Sequence, residues 1–270
     1  MSDRRRLGVV GWPVSHSRSP QMHNAALQAV GLSDWRYQLL PIPPALFEVT
    51  VRALSAVGFR GVNVTIPHKE AALALADRPH PAARAIGAAN TLVFEDDGSI
   101  SAENTDAPAL IELLPSPPEG STALVLGAGG SARASAWALR EAGSEVRVRG
   151  RTPERAQALA EDLGVTAVTA LAPADFLVNC TPVGLLPGDT ELKQGLVQAD
   201  EIAMFGSVID LAYSRCAGET ALVAAARAAG KPTVDGLELL VAQGSLSFER
   251  FTGRTAPRDR MRAAARTGES

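Results

Sequence analysis

A lysine placed two residues beyond the proline that ends an apolar strand is the first chemically suggestive feature of this chain. Within Gly61–Glu70, Val62, Val64 and Ile66 alternate with Asn63 and Thr65, the period-two pattern of a strand. Pro67 has no N–H to donate and stops the ladder. Lys69 follows, and then an Ala/Leu-rich stretch that reads as a helix. In open α/β sheets ligands collect beyond the carboxyl ends of strands. Asn63 and Thr65 are therefore expected to present polar groups to a crevice, with Lys69 at its wall.

A second candidate lies nearer the start. The apolar run Leu7–Gly11 enters Trp12-Pro13-Val14-Ser15-His16-Ser17-Arg18-Ser19-Pro20. Ser19 followed by Pro20 reads as a helix start with a capping hydroxyl. Ser15 and Ser17 fall in the turn before it, where hydroxyls and helix N–H groups suit an anion. His16 and His23 read as structural or surface residues, and Cys180 as a core residue.

The third candidate is a glycine turn. Thr122–Leu126 is an apolar strand that enters Gly127-Ala128-Gly129-Gly130-Ser131-Ala132, followed by an Ala-rich helix. Strand, tight turn and helix N-terminus are what a dinucleotide pyrophosphate requires. At the end of the next strand an NAD-type site carries an acidic residue for the ribose. This chain has Arg149-Gly150-Arg151-Thr152-Pro153-Glu154-Arg155 instead. Arginine suits a 2′-phosphate through charge-assisted bidentate bonds, so NADP is expected over NAD. Arg149 is the weaker candidate, because strand alternation can turn it away.

The elements that must position these residues follow in order. Strands are expected at Leu7–Gly11, Trp35–Leu40, Gly61–Ile66, from Thr91 and at Ser99–Glu103, with helices at Ser19–Val30, Ala45–Val57, Ala71–Ala76 and Ala82–Gly87. Arg78–Pro81 reads as a turn, and Glu95–Gly98 as a hairpin turn. Asn104-Thr105-Asp106 caps a helix, Ala107–Leu114, on which Asp106 could be simply a first-turn acid. The Pro-rich stretch Pro115–Gly120 breaks the composition and marks a connector. Beyond it, strands at Thr122–Leu126, Glu145–Val148, Phe176–Cys180, Ser207–Leu211 and Pro232–Asp235 alternate with helices at Ala132–Ala142, Glu154–Leu163 and Thr220–Ala229. A Gly/Pro/Asp loop follows Gly184, and Gly236–Phe251 is a long helix on which Gln243 is either exposed or aimed at a site. The arginines from Arg254 to Arg266 read as a solvated helix face.

The chain has 270 residues, 46% hydrophobic and 20% charged, which fits one large globular domain or two smaller ones. A net charge of −3 leaves no basic footprint for nucleic acid. Cys180 and Cys216 are too few for a disulfide framework, and nothing suggests a metal site. The basic segment Met1–Arg6 has no apolar signal core, and no apolar run approaches a membrane span. A soluble cytoplasmic protein is expected.

Taken together, these blocks resemble the shikimate dehydrogenase family over nearly the whole chain. The resemblance rests on Ser15–His23, Asn63–Lys69, Gly87-Ala88-Ala89-Asn90-Thr91 and Asn104-Thr105-Asp106. It continues through Gly127–Gly130, Arg151-Thr152, Asp210 with Tyr213, and Gly236 with Gln243. It implies an α/β protein of two domains with a deep cleft between them. Residues 1–106, completed by C-terminal helices in 237–270, would be the substrate-binding and catalytic domain, and 107–236 the Rossmann domain for NADP. It implies Lys69 and Asp106 flanking the reacting oxygen and Ser15 and Ser17 on the substrate carboxylate with Tyr213 nearby. Asn63, Thr65, Asn90 and Gln243 would contact the ring hydroxyls or build their pocket. Gly127, Ala128, Gly129, Gly130, Ser131, Arg151, Thr152, Arg155, Thr181 and Gly236 would bind the cofactor.

The chemistry agrees with that implication. A carboxylated polyol needs an anion site and several neutral hydrogen-bonding groups. Reducing its ketone builds negative charge on oxygen, which an ammonium stabilises and protonates, and a carboxylate beside the ammonium keeps it charged. Whether Lys69 acts alone or with Asp106 is left open, as are quinate or an aminated analogue as substrate, and a monomer or homodimer. A folate-type dehydrogenase fits the serine pair poorly, and an NADP-binding regulator without turnover has no use for the Lys69–Asp106 pair. One departure stands out: Gly150 occupies a position where the family commonly has asparagine.

Overall fold

The computed structural model describes residues 5–185, 197–214 and 218–267. The loop expected after Gly184 lies largely outside these residues, as does Cys216. The chain divides into two compact units, Met1–Thr105 with Val241–Gly268, and Asp106–Leu240.

The first unit runs β1 (Arg6–Gly11), α1 (Ser19–Ala29), β2 (Arg36–Pro41), α2 (Phe47–Leu54), β3 (Phe59–Val64), α3 (Lys69–Leu75), β4 (Arg78–Pro79), α4 (Pro81–Ile86), β5 (Thr91–Phe94) and β6 (Ile100–Glu103). Its sheet has the order β2-β1-β3-β5-β6-β4. β1 pairs in parallel with β2 and β3. β5 is antiparallel to β3 and β6, and β4 is parallel to β6. The core of Val10, Phe47, Val51, Phe59, Val62, Leu92 and Phe94 lies among the strands and α2. The carboxyl ends of β1, β3 and β6 and the start of β5 therefore share one edge of the sheet, which gathers the segments after Gly11, Val64 and Glu103 with Asn90.

Four local expectations are corrected. β3 stops at Val64, because Thr65 already turns: its N–H reaches Val10 O at 2.8 Å while its own carbonyl accepts from His68 N at 2.9 Å. Arg78–Pro79 is a short edge strand, flanked by bonds from Asp77 N to Ile100 O and His80 N to Ala102 O, so the proline's missing N–H costs the ladder nothing. Ser19 is the first helical residue and Arg18 the cap position. Ser19 Oγ instead lies 3.1 Å from Ser17 Oγ, which donates to it. Ala45–Val57 is α2 with a single 3₁₀ turn at each end, closed by Gly58 at φ +85°.

The second unit runs α5 (Asp106–Leu113), β7 (Thr122–Leu126), α6 (Gly130–Glu141), β8 (Glu145–Arg149), α7 (Pro153–Leu163), β9 (Thr166–Ala167), β10 (Ala174–Asn179), β11 (Phe205–Asp210), α8 (Ala221–Ala228) and β12 (Thr233–Val234). All its pairings are parallel, in the order β12-β11-β10-β7-β8-β9. Counted from β7 this is the doubly wound Rossmann order, and the strand order reverses between β7 and β10. Strands buried on both faces read as continuous apolar runs, as Ala123–Leu126 and Phe176–Val178 do.

α9 (Gly236–Thr252) and α10 (Arg258–Arg266) follow. Within the first unit Arg18 donates to Ala265 O at 2.8 Å, tying the start of α1 to the end of α10. Met261 and Ala265 are buried while Arg260 and Arg266 are exposed, as an amphipathic terminal helix requires. No helix among the described residues is long and apolar enough to cross a membrane.

Candidate active site

In the first unit the candidate residues stand at the shared sheet edge. Ser15 is exposed in the turn after β1, and Ser17 is buried. Ser17 Oγ also accepts from Ser19 N at 3.3 Å, so the loop is folded onto the first turn of α1. Thr65 is half-buried just past β3. Lys69 opens α3 and is only 8% exposed, and its carbonyl accepts from Ala89 N at 2.9 Å, joining the α3 start to the segment that carries Asn90. His68, the residue before it, serves structure: its Nε2 bonds Ile42 O at 2.8 Å and its ring stacks on Phe47 at 4.5 Å. Burial depresses its pKa, and the Ile42 bond partly opposes that.

Asn63, Asn90 and Gln243 are brought into one hydrogen-bonded cluster with Thr91 and Thr105. The amide nitrogen of Asn63 donates to Thr91 Oγ1 at 3.1 Å and Asn90 O at 3.3 Å. Thr91 Oγ1 donates to Asn90 Oδ1 at 3.1 Å, which also accepts from Thr105 N at 2.8 Å. Asn90 Nδ2 then faces Thr105 Oγ1 at 2.9 Å and Gln243 Oε1 at 3.4 Å. Gln243, ambiguous in the sequence, is turned into this cluster from α9. The wall it forms is made of amides and hydroxyls, suited to neutral hydroxyl groups.

Tyr37, Thr91, Thr105 and Ser247 enter this cluster without having been given a role from the sequence. Thr91 and Thr105 lie inside the Gly87–Thr91 and Asn104–Asp106 blocks that carry the resemblance, although no role is assigned to them there. Tyr37 and Ser247 carry no such local signal, because their contacts to Asn63 span 26 and 184 residues.

In the second unit β7 ends in the glycine turn. Gly127 has φ +119°, and a Cβ there would press on the Cys180 backbone at 3.3 Å, at the point where the strand order reverses. Gly129 is the extended cap residue of α6, with no side chain capping the helix and nothing within 4 Å of the place a Cβ would take. That cradle and the N–H groups of the first turn, including Gly130 and Ser131, fit a pyrophosphate. After β8, Thr152 caps α7 without a side-chain bond, and Arg151 is exposed with no hydrogen bond or ion pair among the described residues. Arg155 is exposed one turn on. Arg149 donates to Thr169 O at 3.1 Å, so it is engaged with the strand edge. A Cβ on Gly150 would meet Ala156 and Ala128 Cβ atoms at 3.2 and 3.3 Å, so this turn is packed tightly around a small residue.

The ends of β10 and β11 are joined through a buried carboxylate. Asp210, fully buried, accepts from Asn179 Nδ2 at 2.8 Å, Ala212 N at 3.0 Å and Thr220 Oγ1 at 2.6 Å. Asn179 Oδ1 in turn accepts from Thr181 Oγ1 at 2.7 Å and Thr181 N at 3.0 Å. Desolvation pushes the Asp210 pKa up to about 6 against those three donors. Thr181 and the segment carrying Tyr213 are thus held from one acid. Gly236, at the α9 start, approaches the Ala212 carbonyl so closely that a Cβ would lie 2.6 Å from its carbon and 2.9 Å from Leu211 O. Asp106 begins α5, half-buried. Cys180 is half-buried with its Sγ 3.3 Å from Ser135 Oγ. No cluster of metal-ligating side chains occurs among the described residues.

A doubly wound sheet with an uncapped glycine-rich helix start and an arginine past the second strand defines a dinucleotide-binding α/β protein. Residues 9–92 match the shikimate dehydrogenase substrate binding domain, and 236–266 the shikimate 5′-dehydrogenase C-terminal domain. Residues 122–187 match a model described as NADP oxidoreductase, coenzyme F420-dependent. The chain is 43% identical to the shikimate dehydrogenase (NADP(+)) of Anaeromyxobacter sp., with 97% of this chain and 96% of that one covered. It is 42% identical to that of Methanothermobacter thermautotrophicus, over 95% and 94% of the two chains. The crystal structure of shikimate 5-dehydrogenase from Thermus thermophilus, in complex with NADP(H) and shikimate, superposes with a TM-score of 0.83 at 41% identity, covering 97% and 98%. The chain belongs to the shikimate dehydrogenase family.

Proposed function

We propose that this protein is an NADP-dependent shikimate dehydrogenase, which reversibly reduces 3-dehydroshikimate to shikimate in the biosynthesis of chorismate and the aromatic amino acids. The observation that carries this reading is the buried Lys69 on the same sheet edge as an amide–hydroxyl wall, in a chain related to such enzymes along its whole length.

Residues 1–106 with 237–270 act as the substrate-binding and catalytic domain, and 107–236 as the NADP domain. Ser15 and Ser17 take the carboxylate, with Tyr213 contributing to that end. Thr65, Asn90 and Gln243 receive ring hydroxyls, and Asn63 builds their pocket. The turn Gly127, Ala128, Gly129, Gly130 and Ser131 holds the pyrophosphate, Arg151, Thr152 and Arg155 the 2′-phosphate, and Thr181 and Gly236 line the remainder of the cofactor site. NADPH supplies the hydride. Lys69 stabilises the growing charge on the carbonyl oxygen and delivers a proton to it, with Asp106 aligning the ammonium. In the oxidising direction the pair accepts that proton. The protein works in the cytoplasm as a monomer or homodimer, without nucleic acid, membrane or metal.

The test is a steady-state assay pairing shikimate or quinate with NADP or NAD and following reduced nicotinamide. Turnover chiefly with shikimate and NADP supports the reading. Preference for quinate or NAD moves the protein to a sister activity, and no turnover by folded, NADP-binding protein refutes catalysis.

A further inference from the structure

Both polar atoms of the Asn63 side chain are hydrogen-bonded inside the first unit. Its nitrogen has two protons and two acceptors, Asn90 O and Thr91 Oγ1. Its oxygen accepts from Tyr37 Oη at 2.8 Å and from Ser247 Oγ at 3.3 Å. The Ser247 hydroxyl has one proton, and a nearer acceptor for it is Gly244 O at 3.0 Å. Tyr37 is therefore the principal donor to Asn63. Asn63 is 6% exposed and both its polar atoms are engaged by protein partners, which suits it to building the pocket rather than meeting a substrate hydroxyl.

Tyr37 is itself held at two levels by α1. Its backbone exchanges a pair of bonds with the Asn24 amide, Asn24 Nδ2 to Tyr37 O and Tyr37 N to Asn24 Oδ1, both 2.9 Å. Its ring lies flat on His23, with centroids 4.2 Å apart and planes 5° from parallel. The same helix begins directly after the Ser15–Ser17 turn.

We propose that Tyr37 is a positioning residue of the substrate pocket. Its hydroxyl anchors the Asn63 amide, and Asn63 is a relay that orients Asn90 through Thr91, and Gln243 through Asn90. This rests on the function proposed above. It places a specificity-supporting group outside every motif the chain shows, on the edge strand β2.

The experiment is a double-mutant cycle with Tyr37→Phe, Asn63→Ala and the double variant, assayed with shikimate and NADP and checked by thermal melting. Tyr37→Phe keeps the ring on His23 and removes only the hydroxyl. It is expected to raise the KM for shikimate about tenfold, the order of one lost buried hydrogen bond. kcat should stay within about twofold and the KM for NADP unchanged, because Tyr37 is buried and acts on the pocket only through Asn63. In the Asn63→Ala background the same change is expected to add nothing, since the relay is already gone. An unchanged shikimate KM in Tyr37→Phe, or a rise that adds in full on Asn63→Ala, overturns the proposal. If Asn63→Ala does not fold, Ser247→Ala replaces it. The Tyr37→Phe/Ser247→Ala protein then leaves the Asn63 oxygen without a donor, and its loss should exceed the sum of the single losses; strict additivity overturns the relay. Wild-type protein that does not turn over shikimate overturns the functional reading and this proposal with it. An active wild type with an unaffected Tyr37→Phe variant overturns this proposal alone.

Discussion

Replacing His23 by phenylalanine should blunt the acid sensitivity of the first unit. His23 is fully buried on α1, and neither ring nitrogen has a hydrogen-bond partner among the described residues. Its neighbours are the Tyr37 ring and, at 6.2 Å, that of Phe248. Desolvation depresses its pKa from 6.5 to about 3, so the folded protein keeps the ring neutral. The unfolded chain protonates it near pH 6.5. Between those values the unfolded state binds more protons, so stability falls as pH drops from about 6.5 toward 3 and is fully present above 6.5. The difference amounts to roughly 5 kcal/mol over the whole window, or about 1.4 kcal/mol per pH unit within it. For a protein of this size that corresponds to roughly 3–5 °C in Tm per pH unit. Phenylalanine preserves a flat ring against Tyr37 and cannot titrate. The assay is thermal melting of both proteins from pH 7.5 to 4.5. Other titrating groups act equally on both, so the gap between the two curves isolates His23. The variant should gain on the wild type by about 2 kcal/mol between pH 6.5 and pH 5. Parallel curves would show that His23 gains its proton without unfolding, and the argument from burial would fail.

Other perturbations have equally definite outcomes. Lys69→Ala should cost several orders of magnitude in kcat with a modest change in shikimate KM, as expected of a group that acts mainly in the transition state; undiminished turnover removes it from the mechanism. Arg151→Ala should raise the KM for NADP about tenfold or more and leave that for NAD nearly unchanged, since only the former has a 2′-phosphate for the guanidinium; equal changes would count against phosphate recognition there. Gly61→Ala should destabilise the first unit by roughly 1–3 kcal/mol, because its Cβ would lie 2.5 Å from the Phe251 ring and 2.7 Å from Leu92 O; chemical denaturation measures it, and an unchanged midpoint would mean the ring moves freely. Asp210 has its pKa raised to about 6 by burial, so its ionisation opposes folding. Its contribution is complete below about pH 4 and is lost as pH rises through 6, a trend that Asp210→Asn should abolish in hydrogen exchange of β10 and β11.

The parts of the molecule legible in the sequence are those whose physics is local. The strand, glycine turn and helix around Gly127–Ser131 have their whole mechanism within a dozen consecutive residues, and the parallel pairing of the second sheet follows from alternating βα units. The hairpin at Glu95–Gly98 could be read for the same reason, its glycine at φ +87° closing a turn that needs no distant partner. The misreadings occur where a distant partner decides. Pro79 looked like a turn, yet β6 accepts it as an edge strand because the bonds fall on Asp77 and His80. Ser19 looked like a cap, but Ser17 claims its hydroxyl and folds the serine loop back on α1. His23 read as structural or surface, and the tertiary fold settles it as structural, fully buried against Tyr37 and Phe248.

The same distinction separates the groups suited to touching a substrate from those that hold them. Lys69, Ser15, Ser17 and Asn90 sit in blocks where polar residues interrupt apolar runs at strand ends, and such interruptions are visible because they break a period. Tyr37 breaks none. In β2 it occupies the one fully buried position of a strand whose other residues are mostly exposed, so the sequence presents it as an ordinary inward-facing aromatic. Its hydroxyl becomes meaningful only when β1 lies between β2 and β3 and the ring reaches across to Asn63. A buried amide network is costly when partly satisfied and rigid when complete. The Asn63 side chain draws its partners from β2, the start of β5 and α9, so the pocket's shape is fixed by groups that no single segment of the chain could reveal.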